Sequence, residues 1–112
     1  FRRVLFRSVV VAIDRTIDRK VEALMKMESQ FVEGGANGPY PETDAERKQR
    51  YDRSASWFRT RSANTANRFR AKLLELYGEE RGKAVRYAEA FEICEYGRRP
   101  SAEELRKLFP LD

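Results

Sequence analysis

The sequence predicts a mainly α-helical chain with one or two short strands, arranged about one long amphipathic helix at residues 43–77. Three observations carry that prediction. First, Tyr51, Ala55, Phe58, Ser62, Ala66, Phe69, Leu73 and Leu76/Tyr77 recur at steps of three or four, which lays one mostly apolar stripe along a 3.6-residue period. Second, Thr43 and Glu46 have the spacing of a capping box at the start of this stretch, and Gly78 suits the position past its end, where the chain must turn left-handed. Third, the run VVVAI at residues 9–13 is short, continuous and β-branched, the pattern of a buried strand.

The elements follow in order. The strand at 9–13 calls for neighbours on both edges, and no other convincing strand lies near it. A helix is expected over 15–30, with Asp14 or Thr16 as its cap and Ile17, Val21, Leu24, Met25 and Phe31 on one face. Residues 33–43 hold Gly34, Gly35, Gly38, Pro39 and Pro41 and form a loop; the glycines do not match a phosphate-cradling pattern. The long helix at 44–77 would be roughly 50 Å long, with its weak point at SANTAN, residues 62–67. Residues 83–96 are mixed. Over 85–94 the pattern fits a strand with Tyr87, Glu89, Phe91 and Ile93 on one face, or a helix stacking Ala84, Ala88 and Phe91; the extended reading is preferred. Gly97 and Pro100 break the chain, and Ser101 with Glu104 forms a second capping box opening a helix at 102–108.

At 112 residues, with 37% charged and 41% hydrophobic, the chain amounts to one small domain or part of one with a thin core. Residues 1–8, FRRVLFRS, are what the bases TTC AGA CGT GTG CTC TTC CGA TCT encode. That string resembles a widely used short-read sequencing adapter. These residues are therefore expected to be an artefact in a metagenomic reading frame that continues upstream; the alternative is a basic N-terminal arm. The distinction matters for charge. The 23 basic residues, less Arg2, Arg3 and Arg7, leave 20 against 18 acidic ones, so most of the net +5 comes from this segment.

No apolar run reaches the length of a membrane span, residues 9–13 are too short for a signal-peptide core, and Cys94 is alone; a cytoplasmic protein without membrane partners is expected. Histidine is absent, which removes the commonest general base and the commonest metal ligand. No catalytic, cofactor-binding or metal-binding residues are therefore assigned, and the pairs Glu79/Glu80 and Glu103/Glu104 are expected to be solvated. Between Glu46 and Lys72 stand nine Lys/Arg and two acids, with Arg59, Arg61, Arg68 and Arg70 flanking Trp57, Phe58 and Phe69. Such interleaving occurs in nucleic-acid-binding surfaces, but a solvated face beside a core stripe is the preferred reading.

The segment IDRTIDRKVEALMKMESQF resembles a stretch of the PIG-L/LmbE family of zinc-dependent de-N-acetylases, in which a strand runs into an acidic start and then a helix of the form K-x-x-A-L-x-x-x-x-S-Q. The matching residues are Asp14, Thr16, Lys20, Ala23, Leu24, Ser29 and Gln30. Tyr87, Ala88, Glu89, Ala90 and Phe91 resemble the family's Y-A-E-A-F, and RRPSAEELRKLFP resembles the tail of some members. The family often has histidine two residues before the serine, where this chain has Met27. The resemblance implies that residues 9–112 are the C-terminal part of a Rossmann-like α/β domain that removes N-acetyl groups from amino sugars or their conjugates. It implies one zinc, held by an upstream P-H-P-D-D-like motif and a later histidine, neither in this chain. The chain alone is then expected to be inactive, to expose an apolar patch and to need the missing N-terminal part as its partner. Asp14, Lys20, Ser29, Gln30, Tyr87, Glu89 and Phe91 are expected in support roles, Lys20 in an ion pair and Gln30 and Glu89 in hydrogen bonds. The alternative is a small basic helical module that binds nucleic acid or protein.

Overall fold

The computed structural model describes residues 9–35, 38–92 and 101–111. The proposed adapter segment at 1–8 and the Gly97–Pro100 break lie outside these residues, as do Ile93 and Cys94. In order, the elements are β1 (Val9–Ala12), α1 (Ile17–Met25), α2 (Glu28–Phe31), α3 (Asp44–Arg68), α4 (Arg70–Tyr77), α5 (Glu79–Ala84), β2 (Ala88–Phe91) and α6 (Ala102–Leu108). Among the described residues the chain is mainly helical with one two-stranded antiparallel sheet. It divides into two compact units, Phe1–Asp14 with Ser62–Asp112 and Arg15–Arg61, and the boundary falls within α3.

The first unit is built on the sheet. β1 pairs with β2 in the register Val9↔Phe91, Val10↔Ala90, Val11↔Glu89 and Ala12↔Ala88. Residues directly opposite share a face. Val10, Ala12, Ala88 and Ala90 therefore lie together, and they pack with Ala66, Phe69, Leu73, Val85 and Tyr77 in one apolar cluster. The small alanines leave room for α4, whose Leu73 is 0% exposed. Fully burying such a side chain contributes about 1.5–3 kcal/mol. Of the two neighbours expected for β1, the described residues supply one, β2, which lies within the stretch read as extended. Its extended conformation resolves residues 88–91, where pattern alone permitted helix or strand.

The predicted single helix over 44–77 is interrupted at Phe69, which adopts φ −107°, ψ 31°. The weak run at 62–67 is itself helical. The helical ladder continues across the distortion, from Phe69 N–H to the Thr65 carbonyl and from Leu73 N–H to the Phe69 carbonyl. The distortion thus falls where a buried aromatic enters the core, and not at the polar residues of low propensity. Gly78 ends α4 at φ 87°, ψ 165°, a positive-φ conformation open essentially to glycine but not the left-handed helical one expected.

α5 falls largely between the predicted long helix and the mixed stretch at 83–96, where the sequence reading places no element. It packs tightly on α4: a Cβ added at Gly82 would stand 2.8 Å from the Leu73 carbonyl oxygen and from the Leu74 Cα. The α5 carbonyls are also capped. The Arg70 guanidinium donates to the Gly82 and Val85 carbonyls at 2.7 Å each, and to Asn67 Oδ1 at 3.0 Å. A cation at a helix C-terminus satisfies acceptors that lack intrahelical partners and complements the dipole there. α6 opens with the predicted capping box: Glu104 N–H donates to Ser101 Oγ, and Ser101 N–H to Glu104 Oε1.

The second unit is held differently. The helix expected over 15–30 splits into α1 and α2 because the end of α1 tightens. Lys26 and Met27 N–H groups bond to carbonyls three residues back, and Met27 leaves helical geometry at ψ 66°. Its predicted apolar face is present, with Ile17, Val21 and Met25 buried and Leu24 half-buried. The loop after α2 is fastened by the first turns of α3. Arg47 bonds Glu33 at 2.6 Å, Arg50 donates to the Pro39 carbonyl at 2.6 Å, and Ser54 donates to the Phe31 carbonyl at 2.8 Å. The hydrogen bond to Glu33 raises the Arg47 pKa above its ordinary value. The predicted capping box is half formed: Glu46 N–H donates to Thr43 Oγ1, but the Glu46 carboxylate accepts from Glu42 N–H, one residue earlier.

Candidate functional site

Two of the residues that carry the family resemblance, Asp14 and Tyr87, meet at the end of β1. Asp14 directly follows the sheet, and its carboxylate accepts from the Arg86 N–H at 3.0–3.1 Å and from the Tyr87 N–H at 2.8 Å. Beside it, Ile13 N–H donates to the Tyr87 carbonyl at 2.9 Å, which extends the pairing one step past β1. Hydrogen bonds from backbone amides to a carboxylate are charge-assisted and among the stronger ones. Arg86 and Tyr87 immediately precede β2, so the carboxylate fixes where that strand begins. Register is what this protects, because a slip of one residue would turn Ala88 and Ala90 away from the core. On the same unit, the Ala12 N–H donates to the Tyr77 hydroxyl at 2.9 Å.

Asp14 therefore does not cap α1 as one sequence reading had it. Thr16 occupies the cap position, and its side chain makes no cap hydrogen bond. Along β2, Glu89 stands opposite Val11 and Phe91 opposite Val9, both on the face turned from Ala88 and Ala90. The Phe91 ring lies 5.3 Å from Phe109. Lys20, half-buried in α1, and Ser29 and Gln30, exposed in α2, belong to the other unit. The seven family-motif positions thus divide, with Asp14, Tyr87, Glu89 and Phe91 in the sheet unit.

No protein-family model matches the chain, and neither a curated protein nor a solved structure does.

The site is an acceptor junction, with the chemistry of a brace: one carboxylate, three contacts to backbone amides, and a strand start held by them. The other carboxylates singled out in the sequence stand in the first turns of helices, Glu79 and Glu80 in α5 and Glu103 and Glu104 in α6. There negative charge is favourable beside the unpaired amides. Among the described residues no group of three His, Cys, Asp or Glu is placed to hold a metal ion, and no helix is long and apolar enough to cross a membrane.

Several basic and aromatic residues of the long helix have fixed partners. Arg59 pairs with Asp18 at 2.7 Å, and Arg70 is committed to the α5 carbonyls. The Arg68 guanidinium lies 5.5 Å from the Phe69 ring centre, and that of Arg61 lies 5.4 Å from the Trp57 ring centre. Phe58 makes edge-on contacts with Phe31 at 4.9 Å and with Trp57 at 5.0 Å. Sequence reasoning missed the capping role of Arg70 and the close approach at Gly82. A glycine within EERGKA, beside an arginine on the preceding helix, was the available signal.

Proposed function

We propose that this chain is the C-terminal portion of a PIG-L/LmbE-like de-N-acetylase, within a Rossmann-like α/β domain, and that it braces a catalytic layer supplied by upstream sequence. The observation that carries the reading is the Asp14 junction. The acidic start of one resembling segment accepts from amides 72 and 73 residues away, at the head of the other, and the strand that leads into the first segment pairs with β2.

The chain's own residues do not fit a zinc ion: the sequence has no histidine and one cysteine, and the described carboxylates form no cluster. Any zinc of the whole enzyme is then held elsewhere, and no chemical step is assigned to residues here. Their part is positional. Asp14 sets the strand register, Arg70 closes α5, and Glu89 and Phe91 occupy the β2 face away from the alanines. The substrate of the whole enzyme would be an N-acetylated amino sugar or conjugate, and its partner in this chain's terms is the upstream part of the same domain.

The test is to recover the coding DNA upstream of the codons for Val9 and to express the complete frame. The expected result is a continuous α/β domain carrying a P-H-P-D-D-like motif, with zinc-dependent release of acetate from N-acetylglucosamine conjugates. A start codon close upstream with no such domain would sink the reading.

A further inference from the structure

Residues 101–111 join the sheet unit just past the end of α6 and not along it. No residue of α6 is buried; Leu108 is 70% exposed and Leu105 half-buried. Helices shorter than about 12–15 residues are marginal in water without packing, and α6 has seven residues. Its anchors follow it. The Phe109 ring stands 5.3 Å from the Phe91 ring, Leu111 is buried, and the Tyr77 hydroxyl donates to the Pro110 carbonyl at 3.5 Å. That distance is long for an O–H donor. The same hydroxyl accepts from the Ala12 N–H at 2.9 Å, so Tyr77 has a tie to β1 that does not involve the tail.

What the tail stands against is the end of β2. Phe91 is 40% exposed even with Phe109 beside it, and among the described residues no strand lies beyond β2. The phase of the ladder tells which backbone groups face that side. The Ile13 N–H bonds the Tyr87 carbonyl, and hydrogen-bonded pairs alternate along an antiparallel ladder. Val11 with Glu89 and Val9 with Phe91 therefore exchange bonds, and the N–H and carbonyl of Ala90 point away from β1. Outward strand groups beside an apolar side chain recruit another strand unless something covers them, and a helix or loop laid at the edge is one such cover.

We infer that residues 101–111 are a releasable strap that guards β2 against pairing with the β2 of a second copy of this chain. A second copy fits because the strand is self-complementary. Antiparallel pairing centred on Ala90 sets Glu89 opposite Phe91 of the other copy, so no like charges stand directly opposite. With the strap seated the chain is a monomer; with it released, β2 becomes the centre of a dimer. This does not rest on the de-N-acetylase reading and holds or fails independently of it.

The test compares the full chain with a Phe109→Ala/Leu111→Ser variant by sedimentation equilibrium over a range of concentrations. The parent chain is expected to stay monomeric. The variant is expected to approach dimer mass as concentration rises, while keeping the cooperative urea transition of its core helices. Adding Ala90→Pro is expected to abolish that dimer, because proline removes the outward N–H and spares the ladder to β1. Amide exchange on the parent chain checks the strap without mutation. The Leu105 and Phe109 amides, bonded to the Ser101 and Leu105 carbonyls, are expected to exchange at least about tenfold faster than that of Leu73, bonded to the Phe69 carbonyl. A parent chain that dimerises, a variant that stays monomeric, or a dimer that Ala90→Pro leaves intact overturns the inference. So does loss of the cooperative transition in the double variant, or equal protection of Leu105, Phe109 and Leu73, because the tail would then belong to the core.

Discussion

The stripe predicted along residues 43–77 meets two different fates, and the contrast explains most of what this chain does. In its later half, Ser62, Ala66, Phe69 and Leu73 are buried, and the last three pack with Val10, Val85 and Ala88. In its earlier half, Tyr51 is 41% exposed and Ala55 and Phe58 are only half-buried. There the helix is tied by its polar side chains to neighbouring carbonyls and carboxylates, through Arg47, Arg50, Ser54 and Arg59. One periodic pattern thus serves an apolar core in the sheet unit and a largely polar attachment in the other. Periodicity reports which face is apolar; it does not report how much partner surface the rest of the chain can supply.

Substitutions divide accordingly. The largest effect is expected for Leu73→Ala, which opens a cavity in the packed half and should cost about 2–5 kcal/mol in urea denaturation followed by circular dichroism. Gly82→Ala comes next and sharpens the comparison, because two effects oppose. Helix propensity favours alanine by about 1 kcal/mol, whereas the new methyl meets backbone at 2.8 Å and not a movable side chain. Overpacking of this kind costs roughly 1–3 kcal/mol, so net destabilisation is expected. A stabilised variant would show that α4 and α5 are not packed as described.

Asp14→Ala leaves the Arg86 and Tyr87 amides without their acceptor. A loss of about 1–2 kcal/mol is expected, toward the low side because the junction is exposed and water can substitute. Asp14→Asn keeps an acceptor and should lose less; equal losses would mean that charge matters more than geometry. At the small end, Tyr51→Ser in the open half should change stability by less than about 0.5 kcal/mol, whereas a core stripe residue would cost several times more.

Much of this was legible in the sequence, and the failures share a cause. The helical start at Thr43, the capping box at Ser101, the buried strand β1 and the face of α1 follow from local chemistry, and the structure has them. The division at Met27 carries no glycine or proline to announce it. β2 is AEAF, inside the stretch read as extended; what the pattern did not give is its pairing with β1, which fixes it as a strand. α5 is six residues long and contains a glycine, so its existence depends on the surface of α4 and on Arg70. The partners of Asp14, Arg86 and Tyr87, are 72 and 73 residues distant, beyond any local pattern; the resemblance singles out Asp14 and Tyr87 but not Arg86.

The most direct measurement is residue-resolved amide hydrogen exchange on the full chain. Amides of Ala66, Phe69, Leu73 and Glu89 are expected to exchange far more slowly than those of Tyr51, Ala55 and Phe58, although all three of the latter also lie inside a helix. Uniform protection along α3 and α4, or greater protection in the earlier half, would contradict the division of the stripe into a packed half and a tethered one.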